Sequence, residues 1–166
     1  MFWEIFFFEV KFRLKRISTY VYFAIWFFMA LLSNSVRQFG VAGSGKVFVN
    51  SPYILTQLTA SLMAFGLVVV SAIFGTSVYR DFEEGVYQLL FTKPLRKWDY
   101  LGGRWLGSFV VTVLIFSGMV LGGMLGKFMP WADAARLMPV HPWYHLQPFL
   151  LLGVMEIFFK IGRAHV

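Results

Sequence analysis

Charge is what this sequence has least of. Of its 166 residues only 14% are Asp, Glu, Lys or Arg, while 58% are hydrophobic and 20% aromatic; an ordinary soluble domain carries about 25% charged residues. So little polar surface cannot cover a core of this size in water, which excludes a lone soluble globule. The wealth of Phe and Trp excludes disorder and a collagen-like repeat. Cysteine is absent altogether, so no disulfide framework, zinc-thiolate centre or cysteine nucleophile can be built from these residues. What remains is the composition of a membrane protein.

The few charges are unevenly placed. A helix needs about 20 mostly apolar residues to cross about 30 Å of hydrocarbon. Residues 17–36, 47–79 and 105–126 contain no Asp, Glu, Lys or Arg, and a fourth apolar run starts near Leu146. Asn50, Ser51 and Pro52 read as loop, which places the second span at about 55–77. The expected fold is all-α and polytopic, with complete spans at 17–36, 55–77 and 105–126 and a truncated one at 146–160. The last six residues, 161–166, match one reading frame of a common sequencing-library adapter. They are expected to be a scar, with the natural protein continuing beyond Lys160.

Orientation follows the cations. Lys11, Arg13, Lys15 and Arg16 precede the first span, and Arg80, Lys93, Arg96, Lys97 and Arg104 lie between the second and third. The other side holds only Arg37, Lys46, Lys127 and Arg136. The N-terminus and the 79–104 loop are therefore expected in the cytoplasm, and the net charge of +7 is a topology signal with no nucleic-acid partner behind it. Residues 1–16 are not a cleavable signal peptide, because their apolar stretch precedes the basic cluster. On a helical wheel Glu4, Glu9, Lys11, Arg13, Lys15 and Arg16 occupy one half and Phe2, Trp3, Phe6, Phe7, Val10, Leu14 and Ile17 the other, with Ile5, Phe8 and Phe12 out of pattern. That is the arrangement of an interfacial helix lying in the leaflet, aromatics among acyl chains and cations at the headgroups.

In the 79–104 loop, Asp81 followed by Glu84 reads as a capping box opening a short helix. Phe82, Val86, Leu89 and Leu90 make one apolar face, and Pro94 stops it. Such a stripe needs a cover, whether lipid, the bundle or a partner protein. The run Arg80-Asp-x-Glu-x-Gly85, then Gln88-Leu-Leu-x-Thr-x-Pro-Leu-Arg96, then Tyr100-Leu-Gly-Gly-Arg104 resembles the first cytoplasmic loop of ABC-2 type exporter permeases. The order of interfacial helix, span, outer loop, span and loop matches that family too; Val86 departs from it where threonine is common.

The resemblance implies a membrane-spanning permease subunit in a bacterial inner membrane, with no catalytic site of its own. It would be paired with a second permease subunit in a homo- or heterodimer. The 82–92 helix would be a coupling helix seated on a separate ABC ATPase subunit that carries the ATP and magnesium, and 1–16 the elbow helix. Arg80, Asp81, Phe82, Glu83, Glu84, Gly85, Leu89, Leu90 and Pro94 are the implied ATPase-coupling residues. A different class of protein stays open beside it. The stretches 46–52 and 72–76 look similar to permease halves fused to a zinc aminopeptidase-like domain, which would lie beyond Lys160. A membrane scaffold without transport is the third reading.

Four further features carry expectations. Gly40 to Lys46 fits the spacing of a phosphate loop, but Val47 stands where a Ser or Thr must meet magnesium, so a flexible glycine loop is expected. His141 and His145 are four apart with Pro142 between them and no Glu after His141; with Trp131, Trp143 and Tyr144 they read as interfacial residues, not metal ligands. Gly118, Gly122 and Gly126 place bare backbone on one face of the third span, for helix packing. Glu156, one turn before Lys160, is either a transport-path residue or half of an internal ion pair. The orientation is open to a direct check. A cysteine introduced at Ser44 should react with membrane-impermeant maleimide added outside intact cells; labelling only from the cytosolic side reverses the topology.

Overall fold

The computed structural model describes residues 1–35, 48–83, 97–132 and 134–163, and all the regular structure among them is helical. Helix α1 is Phe2–Leu14, α2 Ile17–Ser35, α3 Pro52–Glu83 and α4 Lys97–Leu125. Short 3-10 turns at Gly126–Phe128 and Ala134–Arg136 lead to α5, Pro142–Pro148, then a π-helical stretch, Phe149–Val154, and α6, Met155–Arg163. Two stretches are long and apolar enough to cross a membrane: Ile17–Ser35, with mean hydropathy 1.4, and Trp98–Phe128, with mean hydropathy 2.2.

Several helices overrun the charge-free windows. α3 starts at Pro52, where Ser51 precedes a proline at the first helical position, and α4 starts at Lys97, with Asp99 in its first turn. A window marks the residues that lipid tolerates, whereas a helix stops only where its hydrogen-bond ladder does. For the same reason α3 continues through Arg80, Asp81, Phe82 and Glu83, so Asp81 lies inside a helix instead of capping a new one. The last pass begins at Pro142, before the expected 146. Pro148 has no N–H to offer and its ring crowds the preceding turn; the helix answers by widening to the π pattern just after it.

The passes alternate in direction. α1 and α2 run the same way as α4: Phe2 lies beside Gly102, Phe6 and Glu9 beside Gly107, Phe23 beside Gly118, and Leu31 and Asn34 beside Gly126. α3 runs the opposite way, with Leu55 and Leu58 near Val120 and Gly123, and Gly66 against Phe116. The last pass is also reversed, with His145 at Gly123 and Phe158 on Trp105 and Phe109. At the turn between α2 and α3, the Asn50 side chain clasps the other connection: its Nδ2 donates to the Met138 carbonyl at 2.8 Å and its Oδ1 accepts from the Met138 N–H at 2.7 Å.

The core sits where α2, α3 and α4 meet. Trp26 stacks on Phe116, ring centroids 5.0 Å apart, and Gly66 leaves room for the Phe116 ring, which a Cβ there would meet at 2.5 Å. Away from the core the bundle is apolar as well: α2 exposes Val21, Ile25, Phe28 and Leu32, and α4 exposes Val110, Leu114, Leu121 and Leu125.

The glycines decide how close α4 comes to its neighbours. A Cβ at Gly118 would stand 2.8 Å from the Phe23 carbonyl oxygen, one at Gly126 3.1 Å from that of Leu31, and one at Gly122 would run into the Phe27 carbonyl. Thus Gly118, Gly122 and Gly126 pack within the chain, against α2, at a distance that lets α4 Cα–H groups face α2 carbonyls. Gly122→Val should lower the thermal midpoint of the detergent-solubilised protein by an amount matching about 1–3 kcal/mol of overpacking. Gly102→Ala, which meets only the edge of the Phe2 ring at 3.1 Å, should cost far less.

Candidate functional site

The end of the bundle that carries the resemblance is built from α1, the end of α3 and the start of α4. Glu83 lies 17 residues beyond Gly66 and Trp98 lies 18 before Phe116, so at 1.5 Å per residue the antiparallel α3 and α4 bring those two ends to one level. Arg80, Asp81, Phe82 and Glu83 belong to the last turns of α3. Glu84, Gly85, Leu89, Leu90 and Pro94 lie outside the described residues, as does the Gly40 to Val47 stretch.

The face that α1 turns toward α4 is not the one its helical wheel suggests. Its face toward α4 is Phe2, Ile5, Phe6, Glu9 and Arg13, drawn from both halves of the predicted wheel, while Trp3, Phe7 and Phe8 point outward. The cause is on α4. Gly103 and Gly107 bare its backbone, so a Cβ at Gly103 would stand 3.0 Å from the Phe2 carbonyl and one at Gly107 2.9 Å from Glu9 Cβ. Glu9 lays its methylenes across Gly107, which leaves it 0% exposed. Its Oε1 accepts from Arg13 Nε at 2.7 Å, one helical turn on. A carboxylate without that charged donor would be costly here; with it, the pair is held together in a medium of low dielectric.

The corner after α1 is tied as well. Lys15 and Arg16 turn the chain through backbone bonds to the Lys11 and Arg13 carbonyls, and Thr19 Oγ1 donates to the Arg13 carbonyl at 2.7 Å, which satisfies one of the acceptors a helix end leaves over. Arg16 lies over the Phe12 ring at 4.6 Å and Arg104 over Tyr100 at 5.0 Å. On the other flank of α4, Trp105 and Phe109 stack, and Phe158 of α6 stands edge-on to both. Glu156 is half-buried in the first turn of α6.

Sequence reasoning missed the Glu9–Arg13 pair and the role of Gly103 and Gly107. Both had a signal, an acid four residues before an arginine and a glycine pair at the same spacing as Gly118 and Gly122. It also took His145 for an interfacial residue. His145 is buried against α4, while His141 stays exposed beside Tyr144 and Trp131 and Trp143 face outward. Gly123 is the reason, since it opens a place on α4 that the imidazole fills. Among the described residues no three of His, Cys, Asp and Glu gather to hold a metal ion.

No family model, curated protein or solved structure matches the chain. Among the described residues the chain is all-helical, with two helices long and apolar enough to cross a membrane. The buried pair makes a testable claim about the α1–α4 contact. Arg13→Ala removes the guanidinium from a fully buried carboxylate and should destabilise the protein by about 3–5 kcal/mol, whereas the double replacement Glu9→Leu with Arg13→Met should be far milder. Thermal unfolding of the two variants in one detergent gives the comparison.

Proposed function

We propose that the chain is a membrane-spanning permease subunit of an ABC-2 type exporter, which couples ATP hydrolysis in a separate ATPase subunit to movement of a substrate across a bacterial inner membrane. The observation that carries this reading is the motif-bearing 80–104 stretch, joined at both ends to helices that finish at one level. There the N-terminal turns of α1, from Phe2 to Glu9, pack against the start of α4. A partner seated on that stretch would push on α3 and α4 at once. Arg80, Asp81, Phe82, Glu83, Glu84, Gly85, Leu89, Leu90 and Pro94 form its seat, and the ATP and magnesium belong to the partner.

Membrane insertion draws support from the bundle's surface. The outward faces of α2 and α4 are apolar over many turns, a surface suited to acyl chains and not to water. The alternating passes, and the bias of Lys and Arg in the sequence toward 11–16 and 80–104, support four crossings with the N-terminus in the cytoplasm. Glu156 on α6 is the candidate polar residue of a transport path, and the second permease subunit completes that path.

The test is coupling. The protein is co-expressed with any ABC ATPase encoded beside its gene, purified as a complex into nanodiscs and assayed for ATP hydrolysis. Glu83→Ala with Glu84→Ala should lower the rate by about tenfold, inside the range usual for coupling between distant sites, with the helical circular dichroism unchanged. An adjacent ATPase that neither co-purifies nor responds to these substitutions overturns the reading.

A further inference from the structure

At the end of the bundle opposite α1, polar side chains from three helices meet in a setting that is otherwise Leu, Met and Ala. Asn34 of α2, Thr59 of α3 and His145 of α5 line one small cavity beside Gly123 of α4, with Leu55 and Met119 among its apolar walls. All three are buried, with Asn34 only 5% exposed. Gly123 is where they converge: a Cβ there would stand 3.1 Å from His145 Nδ1 and 3.3 Å from Asn34 Nδ2.

The Asn34 amide is only half satisfied. Its Nδ2 donates to the Ala30 carbonyl at 3.1 Å, which identifies the other terminal atom as Oδ1, and Oδ1 has no hydrogen-bond partner among the described residues. A buried amide oxygen left in that condition carries a penalty. The cavity beside it has about 10 Å³ open to the centre of a water-sized sphere, about one water's requirement, and a buried water joins two to four polar groups.

We infer that Asn34, Thr59 and His145 hold a single buried water that ties α2, α3 and α5 together over Gly123 of α4. The water donates to Asn34 Oδ1, and the Thr59 hydroxyl and a His145 ring nitrogen complete its shell. A site of this kind accepts a small neutral molecule that both donates and accepts hydrogen bonds. Its apolar walls and the lack of a carboxylate in its lining disfavour a cation.

The inference stands apart from the exporter reading, because it rests on these buried polar groups and the cavity between them. Asn34→Leu and Thr59→Val keep side-chain volume and remove the hydrogen-bonding groups. In the full-length protein in nanodiscs each should lower the thermal midpoint by about 2–4 °C, and the double variant should lose less than the sum, because both lose the same molecule. A midpoint that rises or holds with Asn34→Leu, as relief of a merely unsatisfied oxygen would produce, overturns the inference, and so does strict additivity. If either variant fails to insert, water-edited solid-state NMR on the unaltered protein decides. Magnetisation passing from a long-lived water to both the Asn34 amide and the His145 ring supports it, and transfer to fewer than both, as for a direct Asn34–His145 bond, overturns it.

Discussion

Close approach of backbones along α4 is the constraint on which the rest of the structure depends. In lipid, helices have no solvent-driven reason to pair, so association falls to van der Waals contact and to weak bonds that form only at short range. Gly103, Gly107, Gly118 and Gly122 of α4, and Gly126 just after it, lie along one side, and at each of them a carbonyl or side chain of α1 or α2 occupies the space a Cβ would need. The first two draw in α1 and the last three α2. A methyl group at Gly122 would be enough to part the helices, and with them would go the Trp26–Phe116 stack behind the seam.

The polar groups inside the bundle are arranged around the same seam. Glu9 can lie flat on α4 because residue 107 has no side chain, and once there its carboxylate needs the arginine one turn along. Thr19 returns a hydroxyl to the end of α1, so the corner between α1 and α2 carries no stranded acceptor at Arg13. At the far end Asn50 takes over the work of a backbone pair by bonding both polar groups of Met138. Each is a local answer to a shortage of water, which a chain with so few charges meets everywhere.

Much of this was legible beforehand. The scarcity of charge announced helices in an apolar medium, and α2 fills 17–35 of the expected 17–36, with residue 36 outside the described residues. Four-residue glycine spacing pointed to packing, and the partner it finds is α2 of the same chain. What could not be read from charge-free windows was where helices stop, because α3 and α4 both continue well past the apolar stretch. The helical wheel of α1 failed for a related reason. It sorts residues by polarity, while the face that packs was chosen by the shape of α4, and a glycine can bury a glutamate that any larger residue would have turned away. His145 was misplaced on the same ground. Of the expected coupling residues, Arg80 to Glu83 fall at the end of α3, and those from Glu84 to Pro94 lie outside the described residues.

The glycine seam also divides the labour of movement. α1, α2 and α4 are sewn backbone to backbone, so α4 cannot rotate about its own axis without driving Val or Leu side chains into the carbonyls of α2. α3 and the last pass are fastened differently, mostly to each other, through Met63 beside Gly153 and the leucines beside His145, and they meet the trio across rings and side chains. A rearrangement that kept the glycine seam closed would therefore have to move α3 and the last pass against α1, α2 and α4, slipping along contacts made by side chains.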